Sequence, residues 1–182
     1  MIMKKLGFVF NAARCNGCGA CAIACKEEKG VPDDVWMRRR YENPHESSYL
    51  TMNCAHCEKP ACLAACPVKA YAKDADGLVI QDHGKCIGCK ACVTACPWGV
   101  PAYSETDKKV HKCDACAPRL AKGLPPACVA ACPCGAIEFG PIEELRAKYP
   151  DAVVKGFAWA AAAFGMPGPE RTDPNLVIVP FK

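Results

Sequence analysis

The chain has 182 residues, 51% of them hydrophobic, with 23 basic and 19 acidic side chains, a formal net charge of +4 and 17 cysteines. That length suits one domain or two small ones, and the positive balance invites a nucleic-acid reading, but it counts every cysteine as a neutral thiol. The odd cysteine count and the absence of a secretory h-region argue against a disulfide scaffold, since such scaffolds belong to small secreted domains.

In chain order, the start Met1–Asn11 is basic but reaches Cys15 too soon to be a removable signal. Leu6 to Phe10 is an apolar run that predicts a strand. A first cysteine set follows, Cys15-Asn-Gly-Cys18-Gly-Ala-Cys21-Ala-Ile-Ala-Cys25, and then Arg38-Arg-Arg40, which reads as a solvated face or a contact for an acidic partner. The second set is Cys54, Cys57, Cys62 and Cys66-Pro67, with two extra residues before its third cysteine. Ala70 to Ile80 predicts a hairpin turning at Asp74-Ala-Asp-Gly77. The third set, Cys86-Ile-Gly-Cys89-Lys-Ala-Cys92-Val-Thr-Ala-Cys96-Pro97, repeats the first spacing, and the fourth is Cys113, Cys116, Cys128 and Cys132-Pro133 with eleven residues in its long gap. Gly140-Pro141 starts a helix, with Pro141 at its first position, Glu143 and Glu144 in the first turn, and Arg146 and Lys148 in the last. Residues 151–182 read as a tail with an edge strand at Leu176 to Val179. The longest apolar stretch, Ala152 to Pro167, is interrupted by Lys155 and Gly156, whereas a membrane span needs about 20 apolar residues.

The four sets use sixteen of the seventeen cysteines. Their spacing is the bacterial ferredoxin run, in which three close thiolates hold one 4Fe-4S cube and the fourth ligates the other cube of a pair. Gly17 and Gly88 allow the tight bend that aims three sulfurs inward. The fourth cysteine is expected to begin a helical turn, its exit fixed by Pro67, Pro97 or Pro133; Cys25 is followed by Lys26 instead. Zinc fits isolated pairs such as Cys113-x-x-Cys116 with Cys128 and Cys132, but three ligands inside seven residues, twice, do not suit it. Four oxidised cubes with their thiolates would carry about eight negative charges, moving the formal balance of +4 to about −4. That disfavours nucleic acid and makes the basic side chains internal counterweights. Apo protein is expected to be poorly folded, because the clusters replace much of a hydrophobic core.

Arg14, Lys85 and Lys112 each precede the first cysteine of a set, and Lys90 lies inside the third, which suggests tuning of cluster potentials. A positive charge about 8 Å from a cluster at an effective dielectric near 20 favours the reduced form by about 2 kcal/mol, or about 90 mV for one electron. The alternative for each is a solvated, screened side chain. Cys134 reads as a small buried hydrophobe, with a substitute ligand or reactive thiol as the alternative. His56 lacks the second histidine that a Rieske centre needs and reads as a neighbour of the ligands or an exposed side chain. Trp98 is expected to pack over a cluster and limit water.

The order of the sets, with GFVFNAARCNGCGACAIACK, NCAHCEKPACLAACP, DGLVIQDHGKCIGCKACVTACPWG and KCDACAPRL…PPACVAACPCGAIEFGPIEEL, resembles the electron-transfer subunit of DMSO-reductase-family molybdoenzymes over nearly the whole chain. The resemblance implies an α+β fold of two interlocked bacterial-ferredoxin-like modules with two 4Fe-4S clusters each. The outer module would comprise residues 1–53 and 97–150, and the inner one 54–96. It also implies a nested pairing of sets: Cys15, Cys18, Cys21 with Cys132; Cys113, Cys116, Cys128 with Cys25; Cys54, Cys57, Cys62 with Cys96; and Cys86, Cys89, Cys92 with Cys66. Nitrate-reductase-type relatives carry a tryptophan in place of one ligand of the third set, whereas Cys86, Cys89 and Cys92 are all present here, so four 4Fe-4S clusters are expected.

The resemblance further implies a large catalytic partner carrying molybdenum or tungsten in bis(pyranopterin guanine dinucleotide), and no catalysis by this chain itself. Any membrane attachment would belong to a third subunit. The chain would sit in the cytoplasm, or outside it if exported with a signal-bearing partner. A polyferredoxin-like relay for a hydrogenase or formate-oxidising complex is the alternative, and a zinc-binding structural module the remote one.

Overall fold

The computed structural model describes residues 4–181. In chain order the elements are β1 (Leu6–Asn11), α1 (Ala20–Lys29), β2 (Arg39–Glu42), β3 (Tyr49–Met52), α2 (Ala61–Ala64), β4 (Tyr71–Lys73), β5 (Val79–Gln81), α3 (Ala91–Ala95), β6 (Ala102–Tyr103) and β7 (Val110–His111), followed by α4 (Ala117–Leu120), α5 (Ala127–Ala130), β8 (Ile137–Pro141), α6 (Ile142–Lys148), α7 (Ala152–Phe164) and β9 (Leu176–Val179). Strands and helices are short because the chain turns around cysteine loops every few residues.

β1 is the centre of a three-stranded sheet. It pairs antiparallel with β8, from Leu6 opposite Pro141 to Phe10 opposite Ile137, and parallel with β9, from Phe8 opposite Leu176 to Asn11 opposite Val179. A central strand covered on both faces carries apolar residues on both. Val9 packs with Ile142, Leu145, Ala152 and Val177 under α6 and the start of α7. Phe8 and Phe10 join the main core with Leu50, Met52, Trp98 and Ile137. Three two-stranded hairpins, β2–β3, β4–β5 and β6–β7, complete the strands.

The strand expected at Leu6 to Phe10 and the hairpin around Asp74–Gly77 are both present. The helix expected to start on Pro141 begins at Ile142, with Pro141 as its cap and the last residue of β8. At the C-terminus the expected strand at Leu176 to Val179 is present at the edge of the central sheet, and the larger difference is the 13-residue helix that precedes it in place of the expected tail. Gly156 makes this possible. A Cβ there would run into the carbonyl of Ile178, so the glycine lets α7 lie directly on β9.

The cysteine helices also differ from expectation. The fourth cysteine of a set ends a helix instead of beginning one: Cys96 is the C-cap of α3, and Cys66 and Cys132 directly follow the C-caps of α2 and α5. The cause is the following proline, which disfavours helical backbone in the residue before it. Cys25 has Lys26 after it, and α1 accordingly runs on to Lys29 and stops at a left-handed Gly30.

Candidate metal centres

Each Cys-x-x-Cys loop bends at its third position with positive φ: Gly17 at 73°, His56 at 44°, Gly88 at 71° and Ala115 at 54°. Only two of the four are glycine, so the bend is imposed on His56 and Ala115, at a cost of order 1 kcal/mol or more each. The bend turns backbone N–H groups onto sulfur. His56 N–H donates to Cys54 Sγ at 3.3 Å and Ala115 N–H to Cys113 Sγ at 3.3 Å. Fourth cysteines receive the same attention, with Ala70 N–H to Cys66 Sγ at 3.3 Å and Ala136 N–H to Cys132 Sγ at 3.2 Å. Such donors favour the thiolate over the thiol.

The sulfurs gather in four groups. One cavity, with about 370 Å³ of empty space including its mouth, is lined by Cys54, Cys57, Cys62 and Cys96, with Trp98, Lys112 and Thr172. A second, of about 320 Å³, is lined by Cys15, Cys18, Cys21 and Cys132, and also by Cys134. A third, of about 290 Å³, is lined by Cys66, Cys86, Cys89 and Cys92. The fourth group is Cys25 with Cys113, Cys116 and Cys128: burial pushes the Cys25 thiol up, and the charges of those three sulfurs push it further. Consistent with this grouping, α1 packs on α5 and α2 on α3.

The residues fit iron-sulfur clusters. Four sulfurs line two of the three cavities and five, with Cys134, the other, with no histidine or carboxylate among the lining residues, and soft thiolates select such clusters or zinc. Burial raises the thiols, to about 12 for Cys57 and Cys62 and about 11 for Cys116. Metal binding therefore has to displace protons, and folding and loading are coupled.

The four basic residues expected near clusters separate sharply. Lys112 is 7% exposed and its ammonium donates to the Val79 carbonyl at 2.5 Å and the Cys113 carbonyl at 2.6 Å. Burial alone would push it down, but the Cys54, Cys113 and Cys62 sulfurs reverse that and raise it. Lys85 is exposed and pairs with Asp82, and Lys90 is exposed between Glu105 and the Tyr103 ring. Arg14 reaches the Gly135 carbonyl from the surface.

Arg38 departs from its expected setting, and His56 takes the first of the two expected for it, beside a cysteine sulfur. Arg38 is not on a solvated face. It is 1% exposed and hydrogen-bonded to Thr51 Oγ1 at 2.8 Å and Asn53 Oδ1 at 3.2 Å. Arg40 is exposed as expected, while Arg39 reaches the Gly99 carbonyl. His56 is fully buried. Its Nδ1 accepts from Val79 N–H at 3.0 Å, which places its proton on Nε2, 4.0 Å from Cys113 Sγ. Nothing in the run Arg38-Arg-Arg40 distinguishes the first arginine; the nearest signal is the alternation of a strand that starts one residue later. Trp98 does line a cysteine cavity, and its Nε1 donates to Thr172 Oγ1 at 2.9 Å.

Loops of this shape, paired through short helices and lined by cysteine sulfur, define a ferredoxin-type iron-sulfur protein. Comparison with known families agrees: the 4Fe-4S dicluster domain matches residues 45–142 and a 4Fe-4S binding domain matches residues 12–30. The sequence is 42% identical to the B subunit of the anaerobic dimethyl sulfoxide reductase of Escherichia coli (strain K12), across 97% of this protein and 89% of that one. It is 38% identical to the corresponding subunit from Haemophilus influenzae, across 99% and 91%. To the B subunit of the polysulfide reductase of Wolinella succinogenes it is 35% identical, across 98% and 96%. The chain belongs to the iron-sulfur electron-transfer subunits of DMSO-reductase-family enzymes.

Proposed function

We propose that this chain holds four 4Fe-4S clusters and relays single electrons between a donor and a catalytic subunit that carries molybdenum or tungsten in bis(pyranopterin guanine dinucleotide), taking no part in substrate chemistry itself. The observation that carries this is the gathering of sixteen cysteines into four groups of four, each with three sulfurs from one set and one from another. Bound clusters would supply one-electron chemistry; the protein supplies spacing, burial and charge. In this reading the outer ferredoxin-like module is formed by residues 1–53 and 97–150 and the inner one by residues 54–96, with the segment 151–182 bracing both.

Burial supports a linear order. Cys18 and Cys89 are exposed, whereas Cys25, Cys113, Cys116, Cys128, Cys54, Cys57 and Cys62 are buried. The groups containing Cys15 and Cys86 are therefore the ends, where electrons enter and leave, and the groups containing Cys113 and Cys54 form the interior. His56 and Lys112 sit at the interior junction. Lys112 is the strongest candidate for setting a potential; Arg14, Lys85 and Lys90 are screened at the surface. Among the described residues no helix is long and apolar enough to cross a membrane, which fits attachment, where there is any, through another subunit.

Metal analysis of the complex isolated anaerobically through a tag on this protein tests the reading. About sixteen irons per chain, with one molybdenum or tungsten on a co-purifying large subunit, is the expected result. Iron without either metal would favour a polyferredoxin-like relay, and stoichiometric zinc in place of iron would overturn the redox function.

A further inference from the structure

Arg38 carries a permanent positive charge and ranks first among the fully buried side chains by size. Its hydrogen-bond acceptors, Thr51 and Asn53, are neutral, its Nε has no protein partner, and no carboxylate pairs with it among the described residues. A buried charge without a counter-charge costs several kcal/mol, so one found in a native fold requires a nearby anion. Thr51, which accepts from the guanidinium, lines the cavity of Cys15, Cys18, Cys21 and Cys132, and the sulfurs of Cys128, Cys21 and Cys113 favour the charged guanidinium against its burial. Asn53, which holds one end of the guanidinium, also donates to Cys113 Sγ at 3.7 Å. The β2–β3 hairpin fixes the arrangement, because Arg38 directly precedes β2 and Thr51 lies on β3.

We propose that Arg38 is a shared internal counter-charge for the two clusters of the outer pair, held by the groups containing Cys15 and Cys113, and that it raises the reduction potential of both. The proposal rests on the four-cluster reading above. Each cluster gains one negative charge on reduction, and a fixed cation in a dry setting stabilises that state with little solvent screening. One arginine between two clusters acts on both, so it sets their common level against the inner pair more than the difference between them. Arg38 is a positioning charge, not a ligand.

The test uses the intact complex with Arg38→Gln and Arg38→Lys, reading iron content first and then the individual cluster midpoints by EPR-monitored redox titration. Arg38→Gln is expected to keep its iron and to weaken reduction of the two outer-pair clusters at least tenfold, which is 59 mV for a one-electron couple. The clusters of the Cys54 and Cys86 groups should move less, and Arg38→Lys should retain most of the wild-type values. Full iron with all four midpoints unchanged in Arg38→Gln would overturn the proposal. If Arg38→Gln loses outer-pair iron, restoration by Arg38→Lys supports a charge requirement, and failure of both variants reduces Arg38 to a packing element. A wild-type complex with far fewer than sixteen irons strikes the four-cluster reading itself and not the role of Arg38.

Discussion

Lys85 and Lys112 occupy the same sequence position, one residue before a cysteine set, yet only Lys112 is buried against cysteine sulfurs. The difference comes from β5, whose Val79 carbonyl receives the Lys112 ammonium, a contact between segments 33 residues apart that no local pattern announces. Lys112→Met is therefore expected to lower the midpoint of the cluster held by the Cys54 group by on the order of 90 mV, the shift that a cation about 8 Å away produces. Lys85→Ala should leave every midpoint unchanged within error. Redox titration of both variants checks the contrast, and equal shifts would mean that burial is not what matters. His56 is legible in the sequence as a ligand neighbour but not as a buried one. His56→Ala removes the acceptor of a buried N–H and leaves a void, so roughly 2 kcal/mol or more of stability is expected to go, seen as bleaching of the cluster absorbance at a lower temperature.

The strand at Leu6–Phe10 is legible as an apolar run, and the hairpin at Asp74–Gly77 from its turn residues. α7 is not, because Lys155 and Gly156 read as interruptions of an apolar stretch. Lys155 in fact points to Asp151 on the exposed side, and Gly156 is the point of closest approach to β9. Gly156→Ala, a favourable change by helix propensity alone, is expected to destabilise the protein by about 1–3 kcal/mol through overpacking. A lowered unfolding temperature would agree, and a raised one would show that α7 can shift away from the sheet. The four cysteine sets are legible, since their spacing is local; the direction in which each fourth cysteine leaves its helix is not, because it depends on the proline after it.

Across the whole molecule, the C-terminal segment straps the second cysteine set in place. Glu58 N–H and Lys59 N–H donate to the Asp173 and Thr172 carbonyls, Asn175 N–H donates to the Ala55 carbonyl, and the Asn175 side chain donates to the His56 carbonyl. Truncation after residue 150 is expected to release iron from the Cys54 group first, as metal analysis and EPR would show; retention of all four clusters would make the segment dispensable. Glu58 joins the same region through Lys5, Lys73 and Asn175. Burial opposes its ionisation, but these three partners outweigh it and hold the carboxyl at about 2 against an ordinary 4.5. A depressed carboxylate stabilises the fold above its unfolded pKa and loses that contribution as pH falls through the folded value. The stability gap between wild type and Glu58→Gln should thus be full at pH 7 and begin to narrow below about pH 5, a trend thermal unfolding at stepped pH can follow.

The nesting of the cysteine groups also orders events on the ribosome. The cavities lined by Cys54, Cys57, Cys62 and Cys96 and by Cys66, Cys86, Cys89 and Cys92 have all their sulfurs once residue 96 has been made. The cavity lined by Cys15, Cys18 and Cys21 is begun first in synthesis, but waits for Cys132. On the four-cluster reading its earliest thiols stay open until Cys132 has been made, so clusters would be delivered to this protein from the middle outward or only after that point.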